Sequence, residues 1–148
     1  MNYNGACIRI CEALLHAECG ARLGWSMSAS QLGSDVELTA VNQSLSCHES
    51  NILRLRNHLR ALEASPMCDI EPDEQLLRAF AEADACEHSG PVLDYLQRIE
   101  TSLIEAYESA LASPDTMPGI RDSIRLVLLP SVEAVLIRLK ELPLPKAR

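Results

Sequence analysis

Aromatic side chains are scarce in this chain: among 148 residues there is one tryptophan (Trp25), one phenylalanine (Phe80) and three tyrosines (Tyr3, Tyr95 and Tyr107). Hydrophobic residues nevertheless make up 47% of the sequence. The core must therefore come from Leu, Ile, Val and Ala, which suits helix packing better than a sandwich of aromatic-rich strands. Basic residues are also few, 13 Lys and Arg against 21 Asp and Glu, for a net charge of -8. Such a surface repels phosphate backbones and anionic headgroups, so neither nucleic acid nor a membrane surface is expected as a partner. No apolar run approaches the ~20 residues of a spanning helix. Met1-Asn2-Tyr3-Asn4-Gly5 does not open a basic, then apolar, export signal, and a cytoplasmic location is the expectation. A Cys-x-x-C pair, a glycine-rich phosphate loop and a Gly-x-Ser-x-Gly elbow are all missing. Zinc ribbons, thioredoxin-like motifs, P-loops and serine hydrolases thus have no support, and nothing in the chain demands catalysis.

What is present is helical periodicity. The spacing predicts helices over about 5–26, 35–64, 73–87, 91–112 and 118–142. The first carries Ile8, Cys11, Leu15 and Trp25 at helical intervals and ends in the serine-rich stretch before Ser34 or Asp35, either of which can cap the next. The second has the clearest seam, Leu38, Val41, Leu45, His48, Ile52, Leu55, Leu59 and Leu62, in which His48 is the one polar member. Pro66 and Pro72 interrupt the pattern before a short helix presenting Leu76, Leu77 and Phe80. The connection from 65 to 90 is long for a hairpin and reads as a crossover between two bundle helices that point the same way. Pro91 opens the next helix, whose seam is Val92, Leu96, Ile99, Leu103, Ala106 and Ala110, with Glu100 and Tyr107 at its edge. The last presents Ile120, Ile124, Leu128, Val132, Val135, Leu139 and Leu142, with a kink expected at Pro130. The fold class is all-α, a four-helix bundle in one domain with a short extra helix in its crossover.

The stretch Ile99-Glu100-Thr101-Ser102-Leu103-Ile104-Glu105-Ala106-Tyr107-Glu108-Ser109-Ala110-Leu111 resembles the third helix of a family of bacterial ferritin-like four-helix domains of unknown function. Weaker echoes are Glu18-Cys19-Gly20, His58-Leu59 and Arg138-Leu139-Lys140-Glu141-Leu142, and the order and length of the helices match along nearly the whole chain. The resemblance implies a ferritin-like fold and raises the question of iron. Di-iron bundles use a Glu from each of two helices and a Glu-x-x-His from each of the other two. No Glu-x-x-His occurs here: Glu133 is followed by Leu136 at that spacing, and His48 is preceded by Leu45. A ferroxidase or oxygenase centre is therefore not expected.

Glu18, His48 and Glu100 each fall on or beside an apolar helical face, and a bundle could bring them together. They are the candidate ligands for a single iron or zinc, with Glu49 and Glu133 as auxiliaries. The plainer alternatives are a buried network in which a carboxylate holds His48, or a Glu18–Arg22 pair that reaches solvent. Six cysteines, Cys7, Cys11, Cys19, Cys47, Cys68 and Cys86, read as reduced thiols because most lie within helical patterns. Cys7 and Cys11, one turn apart, with Cys47-His48 and Cys86-x-His88, suggest a soft-metal site, but six thiols are few for a copper-lined bundle and free cysteine often serves as a small hydrophobe. The pair is also the candidate for a thiol stress sensor. Glu12 and His16 read as an exposed i, i+4 pair. The leading expectation is a non-enzymatic bundle that works through protein contacts, as a homo-oligomer or with a protein partner. Iron or zinc binding is the alternative.

Overall fold

A computed structural model describes residues 3–66 and 70–143. The chain forms α1 (Tyr3–Ser28), a 3-10 turn (Ala29–Gln31), α2 (Asp35–Ala61), α3 (Glu74–Cys86), α4 (Gly90–Ala112), α5 (Pro118–Ser123), a π-helical turn (Ile124–Leu128) and α6 (Leu129–Lys140), with no strand among the described residues. α5, the π turn and α6 form one continuous column. α1 packs on α2 and α4, and the last column packs on the same two, so α2 and α4 face each other across the diagonal.

Specific contacts set the directions. Gly24 lies by Tyr95, and Glu18 is bonded to Tyr107, so α1 and α4 are antiparallel. Asn51 reaches Leu128 and His58 reaches Ser123, so α2 and the last column are antiparallel as well. The short link at Ala29–Ser34 turns α1 back onto α2. α2 and α4 consequently run the same way, as the long connection through α3 predicts.

Local chemistry accounts for the helix ends. Ser34 and Glu37 form a reciprocal capping box, Glu37 N–H donating to Ser34 Oγ at 3.1 Å and Ser34 N–H to Glu37 Oε1 at 3.2 Å. Asp73 caps α3 through Gln75 N–H at 2.8 Å. α2 ends at Ala61, short of the expected 64, because Glu63 takes a left-handed conformation (φ 61°). Ala64 N–H then returns to Leu59 O at 2.9 Å and Glu63 N–H to Arg60 O at 3.0 Å, the paired bonds of a Schellman stop. At the end of α4, the Arg121 guanidinium donates to the carbonyls of Leu111, Ser113 (2.9 Å) and Thr116 (3.1 Å).

Pro130 does its work one turn before itself. With no N–H for the Leu126 carbonyl and a ring that would strike it, the backbone widens, and Leu129 N–H bonds to Ile124 O. The wider turn keeps Ile120, Ile124, Leu128 and Val132 all facing the core despite their four-residue spacing.

The core has two apolar clusters. One gathers Cys7, Cys11, Leu15, Leu55, Leu59 and Ile124, and the other Trp25, Val41, Leu76, Val92, Leu96 and Val135. The α2 seam holds through its middle, but Leu38 at its start is exposed. In α3, Leu76 is buried while Leu77 faces outward. Glu100 and Tyr107, expected at the edge of α4, are fully buried.

Candidate functional site

Between the two apolar clusters lies a polar layer made by three helices. Glu18 comes from α1, His48 from α2 and Glu100 from α4, and each is 0% exposed. His48 stands between the carboxylates, Nδ1 at 2.6 Å from Glu18 Oε1 and Nε2 at 2.5 Å from Glu100 Oε1. The second Glu18 oxygen, Oε2, accepts from Asn51 Nδ2 at 2.7 Å and from the Tyr107 hydroxyl at 2.5 Å. Trp25 Nε1 donates to Glu100 Oε1 at 2.7 Å. Asn51 Nδ2 also donates to the Leu128 carbonyl at 3.2 Å, which fastens the layer to the π turn of the fourth side.

This geometry calls for a proton in each of the two His48 contacts. An ionised carboxylate only accepts hydrogen bonds, so a ring nitrogen facing one must donate, and two such nitrogens make an imidazolium. Burial opposes that charge, but the hydrogen bonds and charges of Glu100 and Glu18 overcome it and push the His48 pKa up to about 10. Burial and the Glu18 charge hold the Tyr107 hydroxyl well above its ordinary value, so it stays a donor.

The three residues singled out from sequence thus meet, in the hydrogen-bonded form. Glu18 does not turn to Arg22 and solvent; both of its oxygens are engaged inside the bundle. Glu49 and Glu133, the proposed auxiliaries, are both exposed and take no part. Each sits one residue after a core position, His48 or Val132, and one residue is about 100° of rotation on a helix. The layer's other members were missed, yet Trp25 follows Glu18 by seven residues, Tyr107 follows Glu100 by seven and Asn51 follows His48 by three, all same-face spacings.

A metal fits this arrangement poorly. A metal-bound histidine gives one nitrogen to the ion and the other N–H to a second-shell acceptor, whereas both His48 nitrogens face carboxylates here. Of the four carboxylate oxygens, only Glu100 Oε2 lacks a hydrogen-bond partner. Among the described residues no group of three or more His, Cys, Asp or Glu is arranged to hold a metal ion.

The thiols divide. Cys19 is disulfide-bonded, which corrects the expectation of reduced cysteines at that position. Cys7, Cys11, Cys47 and Cys86 are free, and Cys68 lies outside the described residues. Burial, and then the neighbouring Cys7, push the Cys11 thiol up to about 12. Burial, and then the charges of Glu18 and Glu100, do the same for Cys47, also to about 12. Both are protonated at neutral pH and are poor nucleophiles. The Cys86-x-His88 element is local: His88 Nδ1 accepts from Gly90 N–H at 3.0 Å. Glu12 and His16 lie on the exposed face of α1.

Comparison of the chain with protein-family models, with curated proteins and with solved structures finds no match. No helix among the described residues is long and apolar enough to cross a membrane.

Proposed function

We propose that the protein is a non-enzymatic, ferritin-like helical bundle that acts through protein contacts, self-association among them. The observation that carries this reading is the closure of the polar layer. Glu18, His48 and Glu100 are the most concentrated chemistry in the described chain, and their 0% exposure gives a substrate no approach. They hydrogen-bond one another across three helices, which leaves the protein's dealings with other molecules to the surface. There, large aliphatic side chains stand in solvent, among them Leu53 at 57% and Leu126 at 73%. The ferritin-like assignment draws on the parallel diagonal pair α2 and α4, joined by a long connection, and on carboxylates from α1 and α4 meeting a histidine from α2. Light scattering on the purified protein over a range of concentrations tests the reading. A mass above that of one chain is expected, and a monomer at every concentration that also captures no partner would refute it.

A second reading, iron or zinc binding, is favoured by one observation, the buried Glu100 Oε2 without a hydrogen-bond partner. Elemental analysis of the wild type and of His48→Ala separates the two. Stoichiometric metal that vanishes in the variant supports the second reading, whereas the first expects substoichiometric metal in both.

A further inference from the structure

Among the described residues six large hydrophobic side chains are exposed, and two of them, Leu126 at 73% and Ile137 at 57%, share the outer face of the last helical column. Their companions on that face are Pro130 and Glu133, also exposed. The neighbouring α4 shows a polar solvent face: between its ends, from Asp94 to Ser109, the exposed positions are Asp94, Arg98, Thr101, Ser102, Glu105, Glu108 and Ser109, every one polar. The outer face of the last column departs from that pattern, and Leu126 is the most exposed of the large hydrophobics among the described residues.

The order of residues along this face says what covers it. From one end it reads acid, aliphatic, proline, acid, aliphatic, base: Asp122, Leu126, Pro130, Glu133, Ile137, Lys140. Two copies of the column laid antiparallel, with Leu126 of each level with Ile137 of the other, bring the Asp122 end of each chain level with Lys140 of its mate. An isologous contact needs a patch that complements itself under a two-fold rotation. In this stripe the aliphatics are placed symmetrically and the charges at the ends are opposite, while Glu133 of each copy falls level with Pro130 of the other and must keep its carboxylate at the solvated rim. In the monomer Asp122 has only Arg125 at 3.8 Å, an ion pair open to water and readily shared.

We infer that the chain forms a two-fold dimer through the outer face of its last helical column, Leu126 packing on Ile137 of the second copy and Asp122 facing its Lys140. The inference rests on the protein-contact reading above and names the partner and the surface. One helix face per copy is small beside the roughly 800 Å² per partner of a stable interface. The dimer is accordingly weak and dependent on concentration.

Sedimentation velocity over a wide concentration range, on the wild type, Leu126→Asp, Asp122→Lys and the double variant Asp122→Lys/Lys140→Asp, tests it. Far-UV circular dichroism and the emission of the buried Trp25 check that each variant is folded. The wild type should dimerise, and Leu126→Asp should raise the dissociation constant by about tenfold or more. Asp122→Lys should weaken the dimer, and the double variant should return it to within about threefold of the wild type, because the swap restores opposite charges. A dimer indifferent to Leu126→Asp overturns this surface and leaves self-association standing. A dimer sensitive to Leu126→Asp but not rescued by the double variant overturns the antiparallel register. A wild type that stays monomeric throughout overturns the dimer and the self-association on which it rests.

Discussion

The His48 bridge makes stability fall with pH in a window where little else titrates. In the unfolded chain a histidine loses its proton near pH 6.5, while in the bundle His48 keeps it to about pH 10. A folded-state pKa raised in this way contributes stability that is complete below the unfolded value and is lost as pH rises through the folded value. Between those limits the folded protein carries one more proton than the unfolded chain, so the free energy of unfolding should drop by about 1.4 kcal/mol per pH unit. From pH 7 to pH 9 the loss is about 2 to 3 kcal/mol, a large share of a typical domain's stability. The slope does not depend on whether the proton rides on the imidazole or has moved along a short hydrogen bond to a carboxylate, since only the number bound matters. The buried thiols Cys11 and Cys47 add their own loss, but only above the ordinary thiol value of 9.0, as they ionise in the unfolded chain first. His58 is pulled the other way, by burial and then by Arg54, and acts below pH 6.5. Urea unfolding at pH 7, 8 and 9 for the wild type, for His48→Gln and for a triple variant isolates the effect. His48→Gln should be less stable at pH 7 by about 3 to 5 kcal/mol, the cost of removing one partner from a buried ion cluster. The triple variant with Glu18→Gln and Glu100→Gln as well, which leaves no buried carboxylate to take up a proton in place of the imidazole, should be nearly flat across the window. A wild type that is flat from pH 7 to 9, or a triple-variant slope equal to that of the wild type, would refute the buried proton held by the His48 bridge.

Three further outcomes follow from particular contacts. Tyr107→Phe removes the hydroxyl that donates to Glu18 Oε2 and keeps the ring, so thermal unfolding should show a loss of about 1 to 3 kcal/mol, with Asn51 still serving that oxygen. Glu63→Gly relieves a left-handed residue at the end of α2 and should stabilise by about 1 kcal/mol in denaturant unfolding; a loss instead would mean that the exposed carboxylate matters more than the backbone. Thiol titration of the unfolded, unreduced protein should find fewer reactive groups than the six cysteines of the sequence, because Cys19 is bonded, and a reductant should lower the stability by about 2 to 5 kcal/mol.

Much of this architecture is legible from residue order because it depends on periodicity. The seam Val41, His48, Ile52, Leu55, Leu59 records which side of α2 faces inward, and the same reasoning that placed the aliphatics placed His48 among them. Glu18 and Glu100 stood out for the same reason, as carboxylates on apolar faces. What pattern does not carry is backbone geometry and the partner of each atom. The left-handed Glu63 ends α2 where a glycine or asparagine would have signalled a stop, and an ordinary glutamate gives no sign. Pro130 announces a disturbance, but whether the helix bends or widens depends on the packing of Ile124 and Leu128, which keeps both inward through a π turn. The Cys19 disulfide is hidden for another reason: a cysteine on a buried helical face looks the same to periodicity whether it serves as a small hydrophobe or as half of a cross-link.

The unequal contributions of the four sides set the chemistry of the polar layer. α1, α2 and α4 each send an ionisable side chain to it, while the last column offers the Leu128 carbonyl, held by Asn51, and buries Val132 and Val135. An ion at the axis would need carboxylates or imidazoles from that fourth side to complete its shell. Without them, the imidazolium supplies the positive charge that two buried carboxylates require, Asn51 and Tyr107 donate to Glu18 Oε2, and Trp25 joins His48 on Glu100 Oε1, which leaves Glu100 Oε2 as the one oxygen of the pair without a donor. Leu, Ile, Val and Ala above and below the layer could slide by a helical turn and still meet other aliphatics. The layer cannot, because a slip of one turn would strand Glu18 and Glu100 in hydrocarbon without partners, at several kcal/mol for each buried charge. In a core with so few aromatic side chains to lock its packing, this polar layer sets the height at which α1, α2 and α4 meet.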